Sequence, residues 1–467
     1  MDGVYRFPEF AILSETLARF PEFATPSETF YLQQAHYIMQ ILLTGASGFI
    51  GQHLLSALLA ENHQIVACVR QPEPWQARFP EVKWLNCDYS NDHDSQVWLP
   101  RLTAIDVVIN AVGIIRERRG QRFEDLHTKT PIALFKAAEQ IGIRKIIQVS
   151  ALGADENAES TYHLTKRAAD EALLALDVDA VILQPSIVIG RGGGSTTLFS
   201  AMAALPFIPV IGNGDQKIQP ILIEDVKANV LALLQNWPCG GQRLELVGAK
   251  PMTFLQLLVA IRNWLGIKPT YAWFIPIPLM AISAKINDLL GIGPLTSESM
   301  GMLLRGNCGN PAPLTAITGI SPSTVAAGLR DNPATTADRW YAQLFFLRPL
   351  LRLCIGFLWI FTGIISAFVY PVEESYKLLA ATGINGIFAP IMLYSASIFD
   401  GLLGIATLIA YRIRVVVGLQ LLLIISYMAI ISWVLPEFWI HPFGPITKNL
   451  PLIIATLIML VFEDETY

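Results

Sequence analysis

Four apolar runs near the end of this chain constrain its fold more than any other feature. Residues 353–372 hold 20 residues without a charge, 378–399 and 415–436 hold 22 each, and 445–462 carries only Lys448. About 20 apolar residues cross a hydrocarbon core as a helix. The spacing therefore predicts four transmembrane helices, at about 353–372, 386–408, 415–436 and 445–462, in an all-α bundle spanning about 345–467. The oiliness is local: of 71 Asp, Glu, Lys and Arg residues, only 12 lie in the 119 residues 349–467. The overall 53% apolar and 15% charged thus averages an ordinary front and an oily tail. With a net charge of −5, this balance argues against disorder and against a nucleic-acid partner.

Basic residues orient the bundle. Arg339, Arg348 and Arg352 precede the first run, and Arg412 and Arg414 separate the second from the third. The opposite loops hold only Lys377 and Lys448. The positive-inside rule then places both termini, and the domain before the bundle, on the cytoplasmic side of a membrane of the bacterial inner type. Asp400 falls inside the second expected span, where a carboxylate costs about 2.5–3.5 kcal/mol on insertion scales. It is either a packing residue near an interface or a protonatable, hydrogen-bonding group.

The front begins with residues 1–38, which lack periodicity and read as a loose extension or a start-site artefact. From Met39 the pattern changes. Residues 41–44 read as a buried parallel strand running into Gly45, Ala46, Ser47, Gly48, Phe49, Ile50 and Gly51, followed by a helical pattern over 53–60. Glycines three apart between a strand and a helix let the backbone approach a pyrophosphate at the helix N-terminus. Further strands are expected at 64–69, 82–87, 105–110, 144–149 and 180–183, with helical patterns at 130–140 and 166–176 between the later ones. The alternation predicts an α/β fold, a doubly wound parallel Rossmann sheet with its ligand at the carboxyl ends of the strands. Arg70 ends the second strand where NAD-preferring folds place an acid, which favours NADP(H) over NAD(H).

Tyr162 and Lys166 stand four apart and so share one helical face. A nearby ammonium would lower the phenol's pKa and fit it for proton transfer, and the lysine could also hold a ribose. Five cysteines, Cys68, Cys87, Cys239, Cys308 and Cys354, show no paired spacing and read as reduced thiols. Seven histidines show no metal-ligand spacing, so no metal is expected, and Asp92, His93 and Asp94 read as a solvated loop.

Taken together, Thr44 to Gly51, Asp88, Asn110 to Gly113, Gln148 to Ala154, Tyr162/Lys166 and Gln184 to Gly190 resemble the short-chain dehydrogenase/reductase superfamily in its extended and atypical branches. The chain is most similar there to the group containing the nucleotide-binding accessory subunit of respiratory complex I, over residues 39–335 with a substrate-side subdomain at about 191–335. The resemblance implies that Gly45, Ser47, Gly48, Phe49, Ile50 and Gly51 line the pyrophosphate and that Arg70 and Asp88 lie near the adenosine. It places Ala111, Gly113, Ser150, Tyr162, Lys166, Pro185 and Ser186 toward the nicotinamide, with Tyr162, Lys166 and Ser150 as the catalytic set. One departure stands out: active members carry a Ser or Thr one or two positions beyond Ser150, where this chain has Ala151 and Leu152.

In the substrate-side region, 219–225 resembles the family's return strand, Thr253 caps an amphipathic helix, and 271–284 is an oily run broken by Pro276 and Pro278. That run is too short to span a bilayer; it reads as a core helix, or as a surface for an apolar substrate or a membrane. The tail, through 351–363 and Phe399 to Gly404 with Tyr411 and Arg412, resembles the DoxX-like family. The expectation is a membrane-anchored NAD(P)H oxidoreductase for a hydrophobic carbonyl, isoprenoid or quinone-like substrate. The alternative is a non-catalytic NADP(H)-binding protein serving a membrane-protein partner.

Overall fold

The computed structural model describes residues 38–118, 120–290 and 296–463, so the extension expected at the N-terminus lies outside the described residues except for its last. Two compact units divide the chain, Met1–Ala334 and Thr335–Tyr467.

In the first unit, seven strands form one parallel sheet: β1 (Gln40–Thr44), β2 (Gln64–Val69), β3 (Lys83–Asn86), β4 (Val107–Asn110), β5 (Lys145–Val149), β6 (Asp179–Pro185) and β7 (Gln242–Leu246). Their order is β7-β6-β5-β4-β1-β2-β3, so the chain winds outward from β1 in both directions. Six of the strands fall where the sequence places them, most of them short apolar runs in the core, whereas β7, with the sequence QRLEL, carries alternating polar residues and lies outside the expected set. Alternation divides the core. Ile41, Leu43 and Ile109 pack with Leu54, Leu55 and Leu58 of the helix Phe49–Ala60. Leu42, Val108 and Ile146 face the other way onto Trp98, Leu134 and Leu173. β1 is central, pairing Leu43 with Ala67 on one side and Ile109 on the other. Its carboxyl end is therefore the switch point where such folds hold a ligand.

In the substrate-side region the expected return strand is short, Ile221–Leu222, and Asp225 lies in the helix Ile223–Gln235 that follows. Asp225 is held there by Ser323, whose N–H donates at 2.9 Å and hydroxyl at 3.2 Å. Thr253 caps Phe254–Trp264 in a reciprocal box with Gln256. The oily run becomes the strand Ala272–Ile275, parallel to Ile208–Ile211, and then the helix Ile277–Leu290.

The second unit is helical. Among its described residues, three helices are long and apolar enough to cross a membrane: Leu347–Val369, Phe388–Leu408 and Ile413–Val434, of 23, 21 and 22 residues. At the fourth expected span the described residues form a shorter apolar helix, Asn449–Glu463, of 15 residues. The chain turns at Gly444, whose φ is +55°, and the residues up to Lys448 are spent in turns before the helix begins. Glu463 is bonded by Arg352 at 3.2 Å, which puts the end of this helix beside the start of the first.

The first two long helices meet backbone to backbone. A Cβ on Gly363 would stand 2.5 Å from the Ser397 carbonyl oxygen, and one on Gly404 2.7 Å from that of Gly356. Asp400 does lie within the second long helix, 6% exposed, and its Oδ1 has no hydrogen-bond partner among the described residues.

Candidate active site

The glycine loop follows β1 directly. Gly45 has φ +71°, and a Cβ there would approach the Ala111 carbonyl to 2.8 Å, so only glycine fits between the ends of β1 and β4. A Cβ on Gly51 would overlap the Gly45 carbonyl oxygen, whereas one on Gly48 would lie 3.2 Å from it. The helix Phe49–Ala60 starts at Gly48 with no side-chain cap, leaving its first N–H groups for an anion. Ser47 and Gly48 are exposed, and Phe49 and Ile50 half-buried, at this mouth. The cradle that Cβ atoms would fill and the uncapped helix end fit a dinucleotide's pyrophosphate.

On the β2–β3 side, Arg70 is exposed, and with the Gln121 amide turned to accept, its Nη2 donates at 3.0 Å. The Asp88 carboxylate is occupied locally, accepting from the Ser90 N–H at 3.0 Å and from Asn91 Nδ2 at 2.6 Å.

At the other end of the cleft stands the helix Thr161–Leu174, capped by Ser160, whose hydroxyl accepts from the His163 N–H at 3.2 Å. Tyr162 and Lys166 share a face, as their spacing requires. Lys166 is 2% exposed and donates to the carbonyls of Val112 at 2.9 Å and Val149 at 3.0 Å, tying together the segments that follow β4 and β5. Gly113 permits this, since its missing Cβ would lie 3.2 Å from the ammonium. Burial pulls the lysine's pKa down to about 8.

The expected lowering of the tyrosine's pKa is not what the geometry gives. Burial, then Glu298, then Asp170 push the phenol up to about 12. Lys166 spends its charge on two carbonyls, and both acids oppose ionisation of the ring. Glu298 comes from the helix Ser297–Arg305 and accepts the Tyr162 N–H at 2.7 Å. The ring packs edge-on against Phe123, His127 and His163, with centroids 5.2–5.9 Å away. His127 is fully buried, and its Nε2 accepts the Ile114 N–H at 3.0 Å. Burial drops its pKa to about 2, so it stays neutral and supports the 112–114 segment.

Ser150 turns away from the cleft. It is 3% exposed and its hydroxyl donates to Asp170 Oδ2. Asp170 is itself fully buried, and Asn110 Nδ2 donates at 2.6 Å to Gln148 Oε1 in the same layer. Ala151 and Leu152, buried at 6% and 7%, add no hydroxyl. Ser186 is also committed, donating to the Gln219 carbonyl at 2.6 Å, and Pro185 pairs in register with Leu246. Ala111 donates its N–H to the Thr44 carbonyl at 3.1 Å, beside the glycine loop. Of the predicted set, the structure thus brings Tyr162, Lys166 and Gly113 together at one edge and aims the Ser150 and Ser186 hydroxyls into the protein. Asp170, His127 and Glu298 carry no local motif; only the i+4 step from Lys166 to Asp170 could have pointed to one of them.

Burial raises the Asp170 pKa to about 7, with Ser150, Lys166, Arg243 and Gln148 opposing. A carboxyl raised on folding stabilises the fold fully below its unfolded pKa of about 3.9, and that stability is lost as pH climbs toward the folded value. Between pH 4 and 7 this carboxyl therefore costs stability as pH rises, while neutral His127, with its pKa near 2, contributes in the opposite sense. Asp170→Asn keeps the shape but removes the Asp170 titration, so in melting curves the variant should gain on the parent by about 1–3 kcal/mol from pH 4 to pH 7. A variant-to-parent difference that does not change with pH would remove Asp170 from this role.

Comparison with known proteins adds to this geometry. Residues 41–242 match the NAD dependent epimerase/dehydratase family, and 356–457 match the DoxX-like family. A mitochondrial NADH dehydrogenase (ubiquinone) 1 alpha subcomplex subunit 9 from Arabidopsis thaliana is 30% identical over 256 residues, 53% of this chain and 62% of the relative. The match thus spans less than two thirds of that protein. A ceramide reductase from Caulobacter vibrioides is 29% identical over 234 residues, 49% of this chain and 71% of the relative. In fold, a UDP-glucuronic acid 4-epimerase from Bacillus cereus, solved with UDP-glucuronic acid and NAD, is similar with a TM-score of 0.50 at 19% identity. It covers 66% of this chain and 100% of its own.

Proposed function

We propose that this chain, whose residues 41–242 match the NAD dependent epimerase/dehydratase family and 356–457 the DoxX-like family, is a membrane-associated NAD(P)H-dependent oxidoreductase for a hydrophobic carbonyl, isoprenoid or quinone-like substrate. The observation that carries the reading is Lys166, which clamps the carbonyls of Val112 and Val149 and so anchors the helix that also carries Tyr162 at the sheet edge where the uncapped glycine-loop helix begins. The relative named as a ceramide reductase supports an apolar substrate.

The bound nicotinamide would supply the hydride. Gly45, Gly48 and Gly51 make room for the pyrophosphate, with Ser47, Phe49 and Ile50 around it. Tyr162 donates a proton to the reacting oxygen, and a phenol held near 12 is fully protonated for that purpose. Lys166 holds the edge through its two carbonyl bonds. Both termini and the dinucleotide domain face the cytoplasm, on the basic-residue asymmetry and on the Glu463–Arg352 pair that brings the bundle's two ends together.

One specific observation favours a second reading, an NADP(H)-binding protein without turnover that serves a membrane-protein partner. No hydroxyl stands at Ala151 or Leu152, and that of Ser150 is given to Asp170. Without that donor, stabilisation of the developing oxyanion is weak. The named complex I subunit supports this alternative.

The test is to reconstitute the full chain, titrate NADPH and NADH, and follow loss of the reduced cofactor's absorbance with lipid carbonyls and quinones. Turnover supports the first reading; tight binding without oxidation supports the second. On cofactor choice, NADPH should bind more tightly, and Arg70→Ala should cost it about tenfold while sparing NADH, the loss expected for one charge-assisted contact to a 2′-phosphate. Equal effects on both nucleotides would remove Arg70 from that role.

A further inference from the structure

The strand Ala272–Ile275 and the helix Ile277–Leu290 carry an apolar face that is left open among the described residues. Tyr271 is 83% exposed, Trp273 65%, and Leu279 and Ile282 58% each. Leu279, Ile282 and Ile286 recur at helical spacing on the exposed side, while Ala284 is fully buried and seats the helix on its domain. Between Trp273 and this stripe lies an open groove of about 360 Å³, lined also by Ile275, Met280 and Ser283. No charged residue occurs over 271–284, and Lys268 and Lys285 bracket the run. Exposed Trp, Tyr and branched aliphatics flanked by lysines are the composition of a surface lying at a lipid headgroup boundary.

We propose that this face docks on the surface of the bilayer that holds the chain's own apolar helices. The occupant follows from covalent continuity: the same chain passes into three helices long and apolar enough to cross a membrane, the first starting at Leu347. A bilayer is thus tethered to this domain at high effective concentration. Lysine charge suits anionic headgroups. The docked helix also leads toward the site, since Asp288 accepts the Ser297 N–H at 3.1 Å and the next residue, Glu298, holds the Tyr162 N–H. An apolar substrate leaving the bilayer would meet this face first. The proposal rests on the membrane association proposed above and does not depend on turnover.

The test uses the full chain in nanodiscs of phosphatidylethanolamine and phosphatidylglycerol, with exposed Cys239, Cys308 and Cys354 changed to Ser. Single spin labels are placed at Leu279→Cys, Ile282→Cys, the exposed surface position Lys136→Cys, and Phe357→Cys on the first apolar helix. Collision with lipid-soluble oxygen is compared with collision with a water-soluble nickel chelate. Docking predicts an oxygen-to-nickel ratio at 279 and 282 on the order of fivefold above that at 136, approaching that at 357. A water-like ratio at 279 and 282 with a lipid-like one at 357 would overturn docking alone. Protection from both agents at 279 and 282 would mean a protein cover, such as a second copy, and would also overturn it. A water-like ratio at 357 would instead refute the membrane association.

Discussion

Tyr162→Phe should lower turnover by about 10²–10⁴-fold while leaving nucleotide affinity within about threefold of the parent. The hydroxyl is the only part removed. The ring's edge-on packing against Phe123, His127 and His163 survives, as does the Glu298 bond, which uses the backbone N–H. The effect should be large because the positions where a second hydroxyl is expected offer none: Ser150 is bonded to Asp170, and Ala151 and Leu152 are apolar. Stopped-flow oxidation of the reduced cofactor, with affinity read separately by fluorescence, distinguishes the outcomes. Equal rates in parent and variant would refute the proton-donor role of Tyr162, and absence of turnover in both would favour the non-catalytic reading.

The phenol's high pKa sharpens what the enzyme reading requires. At about 12 the phenol stays protonated near neutrality, which fits the proposed role of Tyr162 as proton donor to a carbonyl being reduced. Glu298 reaches it from a helix 136 residues along the chain. That helix follows the exposed apolar one, so the proposed substrate side of the domain reaches the proposed proton donor through one hydrogen bond.

The sheet was legible because its signal is local. Most strands are short apolar runs, and residues 41–66 show both the strand and the glycine turn within one βαβ unit, whereas Gln242–Leu246 mixes polar and apolar residues and gave no such signal. The Tyr162/Lys166 pair was legible for the same reason, as an i, i+4 step on one helix. What the spacing could not convey was where the charges point. Lys166 turns onto two carbonyls, and a distant carboxylate faces Tyr162, so the expected depression of its pKa became an elevation. Ser150 and Ser186 likewise stand at the right positions in the chain, but their hydroxyls turn inward. In the tail, composition gives apolarity but not helix limits. The last run includes residues 445–448, which the structure spends in turns.

Substitution at Gly51 should be the most damaging single change to nucleotide binding, with Gly51→Val raising the dissociation constant at least about 100-fold. The clash is with main chain. The new Cβ would overlap the Gly45 carbonyl oxygen and come within 2.9 Å of Ala46 Cα, neither of which can swing away as a side-chain tip can. Gly45 cannot yield either, because its φ of +71° and its contact with Ala111 already confine it to glycine. The helix start would have to shift, and with it the uncapped N–H groups that would face the pyrophosphate. Gly48 provides the internal comparison. Its φ of −79° suits any residue and its Cβ would stand 3.2 Å from the same oxygen, so Gly48→Ala should cost about tenfold or less. Titration of both variants with NADPH, beside circular dichroism to confirm retained helix, measures the gap. Similar affinities for Gly51→Val and the parent would refute the assignment of this loop to the pyrophosphate, whereas loss of helix in Gly51→Val alone would show that the loop's first task is folding.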